Sequence, residues 1–118
     1  MKRVVIESPL NAPTPEGFEA NRQYARACAR DCLHRGESPY ASHLFFDQPG
    51  ILDDTKPEER ELGIKAGFAW GEAAELVAVY VDRGISGGMQ RGIARAKDAK
   101  QPVEYRSLIY GTLGIDHG

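Results

Sequence analysis

Six consecutive apolar residues, Leu76-Val77-Ala78-Val79-Tyr80-Val81, constrain the architecture of this chain more than any other feature. A run this long, rich in β-branched residues and free of alternation, reads as a strand covered on both faces, as in the middle of a parallel sheet. It is followed at once by Asp82-Arg83-Gly84-Ile85-Ser86-Gly87-Gly88, a turn signal, and then by a helical pattern from about Gly88 to Ala99. The same order recurs along the chain. Val4-Val5-Ile6 is a short strand ending at Ser8-Pro9. Thr14-Pro15 then offers an N-cap with proline at the first helical position. Phe18, Asn21, Ala25, Cys28 and Cys32 form an amphipathic stripe, and Gly36 ends that helix. A second strand is expected to end near Ser42-His43 and to run into an apolar loop through Leu44-Phe45-Phe46. Thr55-Lys56-Pro57-Glu58 suggests a capping box, with a helix from about Pro57 to Ala74. Leu62, Ala66, Ala69, Trp70 and Ala73 would be its apolar stripe, and Gly63, Gly67 and Gly71 would admit a close neighbour. Pro102-Val103-Glu104-Tyr105 is a fourth strand, and the last twelve residues add a turn or a fifth.

Alternating strands and helices build a parallel sheet through right-handed crossovers. The expectation is a three-layer, Rossmann/flavodoxin-like α/β domain over residues 1–118, with four or five mostly parallel strands in the order 2-1-3-4. Ligands of such sheets bind beyond the carboxyl ends of the strands, where the order reverses. Here that crevice lies between Ser8–Pro13 and Asp82–Gly88.

With 118 residues, 42% hydrophobic and 27% charged, the chain has the balance of one globular domain. A formal net charge of −2 argues against a nucleic-acid partner, which calls for a basic excess. No apolar run approaches the ~18 residues of a membrane span, and the three-residue apolar stretch near the N-terminus is short for a signal peptide. A cytoplasmic location follows, the host's cytoplasm if a phage encodes the chain. Cys28 and Cys32 share one helix face and read as small core residues. No residues recur at metal-ligand spacing, so no metal and no cofactor are expected.

The candidate ligand-binding residues are Ser8, Pro9, His43, Asp82, Gly84, Ser86, Gly87, Gly88 and Met89. Ser86-Gly87-Gly88 opens a helix, where unpaired amides and the positive end of the dipole suit an anion such as phosphate. Asp82 stands where a carboxylate often holds a sugar hydroxyl; it also fits a turn aspartate. His43 ends the second strand beside the same edge. Arg106 reads as a solvated arginine, with a phosphate contact as the alternative. Glu58, Glu59 and Glu61 crowd a helix N-terminus, where they favour the dipole. The weak catalytic candidates are Asp82, Glu59, Glu61 and His43.

Ser8-Pro9, Ser42-His43-Leu44-Phe45-Phe46, Glu58-Glu59-Arg60-Glu61-Leu62-Gly63 and Ile85-Ser86-Gly87-Gly88-Met89 carry a resemblance. Over residues 3 to 106 the chain resembles the nucleoside 2-deoxyribosyltransferase-like superfamily, which includes deoxynucleoside 5′-monophosphate N-glycosidases. Within it, the chain is most similar to a small uncharacterised domain family of phages and bacteria. The resemblance implies a glutamate on the helix after the third strand and an aspartate on the preceding helix. Gln90 or, in the close family's register, Gly92 stands at the first place, and Gly67 at the second. None is a carboxylate, whereas glycoside chemistry generally uses two. The expected function is therefore binding of a nucleotide or nucleotide-derived small molecule without glycosidase chemistry. The alternatives are an N-glycosidase or deoxyribosyltransferase acting on (deoxy)nucleoside monophosphates, and an interaction protein on the same scaffold. The resemblance also implies a homodimer, with Leu44-Phe45-Phe46 and Leu108-Ile109-Tyr110 as candidate surfaces.

Overall fold

The computed structural model describes residues 1–117. Among the described residues, five strands and four helices follow in the order β1 (Lys2–Glu7), α1 (Pro15–His34), β2 (Glu37–Tyr40), α2 (Ser42–Phe45), α3 (Pro57–Gly71), β3 (Leu76–Tyr80), α4 (Gly87–Asp98), β4 (Val103–Ser107) and β5 (Gly111–Asp116). The sheet order is β2-β1-β3-β4-β5. The first four strands pair in parallel, and β5 returns antiparallel along β4. This is the expected three-layer α/β architecture, with the C-terminal residues settled as a fifth strand. No helix among the described residues is long and apolar enough to cross a membrane.

Strand alternation sorts the core into two layers. Val4, Ile6, Leu76, Ala78 and Tyr80 pack with Cys28 and Cys32 of α1. Val5, Val77, Val79 and Val103 pack with Met89 and Ala96 of α4. Both cysteines are free and buried, as small core residues. The start of α1 forms as its sequence suggests, with the Gly17 amide donating to Thr14 Oγ1 at 3.1 Å and Pro15 at the first turn.

Four local expectations are corrected. The segment after β2 makes a one-turn helix, α2, instead of an apolar loop. α3 has Lys56 at its N-cap with no side-chain cap, because Thr55 turns back and donates from Oγ1 to Asp53 Oδ1 at 2.6 Å. Arg106 is not solvated: it is 1% exposed and held by Glu37, Glu104, Tyr80 and Cys32. The face that α3 buries also differs. Leu62 is 57% and Trp70 64% exposed, while Gly71 is buried. The glycine stripe, with Ile64 and Phe68, is turned inward, and the apolar stripe faces out.

Candidate functional site

That rotation of α3 opens a cavity of about 330 Å³ between α3, α4 and the sheet. The volume lies near the lower end of the ~300–1,000 Å³ range of small-molecule sites. Its mouth is at the carboxyl edge of β1 and β3, where the strand order reverses. Leu10, Asn11, His43, Asp54, Arg60 and Ser86–Met89 line the mouth side. Val5, Glu7, Tyr40, Phe68, Gly71 and Arg95 line the deeper part.

The α4 terminus is shaped by Ser86. Its Oγ accepts from the Met89 amide at 3.3 Å, and its own amide donates to the Met89 sulfur at 3.4 Å. The amides of Gly87 and Gly88 belong to the first turn, where no intrahelical acceptor is available. A Cβ at Gly88 would stand 3.5 Å from Arg60 Nη2, so this guanidinium lies against the helix start. Asp54 Oδ2 is 3.9 Å from Arg60 Nε. Burial raises the Asp54 carboxyl above its usual range, against the opposing pull of His43, Asn11 and Arg60.

His43 Nε2 lies 2.8 Å from the Ser8 carbonyl. A carbonyl only accepts, so Nε2 carries the proton and Nδ1 is the free nitrogen of the neutral ring. Burial pushes the imidazole below its usual pKa, against the pull of the Ser8 carbonyl and of Asp54 and Asp47. Ser8 itself is buried outside the cavity lining; its carbonyl orients His43, and its Oγ has no partner among the described residues.

Glu7, the last residue of β1, projects to the same face as Val5 and reaches the cavity floor. Burial pushes its carboxyl up to about 8, even though nearby Arg95 favours the charged form. Its space is provided by α4, since a Cβ at Gly92 would overlap the Glu7 carboxyl. Arg95 lies in the groove left by Gly71, whose Cβ would stand 3.1 Å from Arg95 Nη2. That nitrogen donates to Gln101 Oε1 at 2.7 Å, and the guanidinium sits over the Phe68 ring at 5.8 Å. Arg95 Nη1 and the Tyr40 hydroxyl are buried with no partner among the described residues.

Of the residues singled out in the sequence, His43, Ser86, Gly87, Gly88 and Met89 meet in this cavity. Pro9 and Gly84 flank it without lining it, and Gly84 serves the turn after β3 with φ +86°. Asp82 is a correction. It lies outside the lining and is engaged elsewhere: Tyr24 Oη and Ser107 Oγ donate to its two oxygens at 2.6 Å each, and the Leu108 amide donates at 3.0 Å. Desolvation, the largest single influence, opposes its charge, but these donors together prevail and hold it below the usual carboxylate range. Its role is to fasten the β3 and β4 loops to α1. Glu61 forms a bidentate pair with Arg91 at 2.8 and 2.9 Å, and Glu59 accepts from the Asp53 amide at 2.9 Å. Neither lines the cavity. Sequence reasoning missed Glu7, Tyr40, Asp54, Arg60 and Arg95. For Glu7 there was a signal: alternation along β1 places it with Val5, on the face that α4 covers with a glycine.

The described residues contain no group of three or more His, Cys, Asp or Glu able to hold a metal ion. The arrangement instead places two guanidinium groups, two carboxyl groups with raised pKa values and a set of free amides around one small chamber.

The same three-layer α/β fold occurs in two solved structures of other proteins. The 2-deoxyribosyltransferase of Bacillus psychrosaccharolyticus superposes with a TM-score of 0.60 at 15% identity, covering 89% of this chain and 72% of that enzyme. The CMP N-glycosidase of Clostridium botulinum superposes with a TM-score of 0.53 at 10% identity, covering 90% and 71%. At such identities the likeness is one of fold. Within that class, residues 2–106 match the family described as Domain of unknown function (DUF7768), and the chain belongs to that family. No curated protein matches it.

Proposed function

We propose that the cavity binds a nucleotide or nucleotide-derived small molecule, with its phosphate on the Gly87 and Gly88 amides beside Arg60. The observation that carries this reading is the meeting of a helix start and a guanidinium on the wall of a cavity at the topological switch point. An anion there gains from the helix dipole and from charge-assisted hydrogen bonds. Gly92 and Gly67 support binding without turnover, since neither supplies the carboxylate that the superfamily resemblance calls for. The test is a thermal-shift screen of nucleoside monophosphates, followed by chromatography of the ligand. A stabilising ligand recovered intact supports the reading. Absence of any shift, or an unchanged shift in Arg60→Ala, overturns it.

A second reading, N-glycoside hydrolysis, is favoured by one observation: Glu7 and Asp54 both line the cavity. Neutral Glu7 would give its proton to the departing base while water attacks the anomeric carbon and passes a proton to Asp54. Under this reading the chromatogram contains free base, and Glu7→Gln abolishes its release.

The reading includes a homodimer. The outward stripe of α3, with Leu62 and Trp70, and Phe45 of α2 leave an apolar face exposed, as does the Leu108–Tyr110 turn.

A further inference from the structure

The deeper half of the cavity has its own chemistry. Helical rise places Gly92 about 6 Å and Arg95 about 10 Å along α4 from Gly88. A ligand whose phosphate sits at the helix start therefore extends its other end towards Glu7, Tyr40 and Arg95. Two of the atoms waiting there, Tyr40 Oη and Arg95 Nη1, are buried and unpartnered. Buried donors are ordinarily satisfied, and one left open is expensive. Both residues line the same cavity, and Glu7 lines it with them in the space left by Gly92.

We propose that Tyr40, Arg95 and Glu7 form a subsite for a carbonyl oxygen of the ligand's base, so that the site selects keto-bearing bases over their amino counterparts. This rests on the nucleotide reading above and adds the class of base. The chemistry is complementary: the guanidinium N–H and the phenol O–H both donate, and a keto oxygen accepts from them. Glu7, protonated at neutral pH, donates as well. An exocyclic amino group in the same place would set donor against donor at Arg95, which cannot accept, and leave its buried N–H unpaired. A site built to hydrogen-bond one group discriminates strongly against its replacement.

The test compares uridine with cytidine 5′-monophosphate and inosine with adenosine 5′-monophosphate, each in ribo and deoxy form, by calorimetry. The phosphate and sugar are constant within each pair, so the ratio reports the base edge alone. The expected result is that the keto member binds at least ~10-fold tighter. Tyr40→Phe and Arg95→Met should each bring that ratio towards one while leaving competition by inorganic phosphate unchanged. The preference should also shrink between pH 6.5 and 8.5 as Glu7 gives up its proton. Arg95 and Tyr40 are the titratable groups facing Glu7 from α4 and β2, with Arg60, Asp54 and His43 towards the mouth. Equal or reversed affinity within the pairs overturns the proposal while the nucleotide reading stands. So does a ratio that survives both substitutions. If Arg95→Met weakens inorganic phosphate, the deep end is a second anion site and the proposal fails. If no monophosphate binds, the reading in which it is rooted fails, and the proposal with it.

Discussion

On the α1 side of the sheet, the polar groups around Tyr80 and Arg106 saturate one another. The Tyr80 hydroxyl lies 2.8 Å from Asp31 and 3.4 Å from Cys32 Sγ, while Arg106 reaches Glu37 at 2.7 and 2.8 Å and also engages Glu104. On the α3–α4 side, Tyr40 and Arg95 each keep a buried donor free, and Glu7 sits beside them above its usual pKa. Both sides cover the same strands, so the difference is not one of hydrophobic supply. One polar set is closed and holds the fold together, whereas the other is open and awaits a partner from outside the chain.

The contrast breaks most readily at the two arginines. Arg106→Met should strand two partly buried glutamates and destabilise the protein by about 3–5 kcal/mol, measured by denaturant unfolding. Arg95→Met should lower stability far less, because its main partner is the neutral Gln101. Equal losses would remove the distinction between the two sides.

Glu7 sharpens the comparison through pH. Its folded pKa of about 8 lies above the ordinary value of 4.5, so between these values the folded state holds a proton that the unfolded chain has released. Stability therefore falls as pH rises through this window, by up to about 1.4 kcal/mol per pH unit. Glu7→Gln should remove the slope between pH 5 and 8, as seen in thermal unfolding; an unchanged slope would show that Glu7 is ionised like a surface carboxylate.

A smaller effect is expected from Gly92→Ala. In the Glu7→Ala background it should stabilise by up to about 1 kcal/mol through helix propensity. With Glu7 present the overlap should erase that gain, giving a coupling that a double-mutant cycle reads directly. Smallest of all, Leu62→Ser on the outward stripe should change the unfolding free energy by no more than about 0.5 kcal/mol, but should shift the sedimentation coefficient if that stripe pairs two copies.

What was legible in the sequence was what local pattern controls. The apolar run of β3, the Thr14-Pro15 start of α1 and the Ser86 cap all report on neighbours within a turn or two, and each forms where the pattern places it. The turn after β3 was likewise readable as a helix start, because glycines follow a serine between a strand and a helical pattern. Asp82 was misread because its donors come from residues 24, 107 and 108, which no local pattern connects to it. Arg106 was misread for the same reason, since its partners include residues 32 and 37. α3 was turned the wrong way because hydrophobicity usually marks the inward face; here the helix borders a chamber, and glycines alternate with Arg60, Ile64 and Phe68 on the face towards it. Glu7 was overlooked because a charge at a strand end ordinarily meets water.

The glycine row of α3 has a consequence for how this scaffold can change its cargo. At Gly63, Gly67 and Gly71 a Cβ would stand 3.3, 3.2 and 3.1 Å from Leu52, Ser42 and Arg95 respectively. Widening the chamber by trimming side chains is thus closed off at these three positions, because nothing remains to trim there. Enlargement has to come from lifting the helix bodily or from shortening Phe68 and Ile64, and any added methyl narrows the passage instead. The row sets a lower bound on wall thickness, so descendants of this chain that accept bulkier molecules should differ from it in helix placement before they differ in the residues lining the wall.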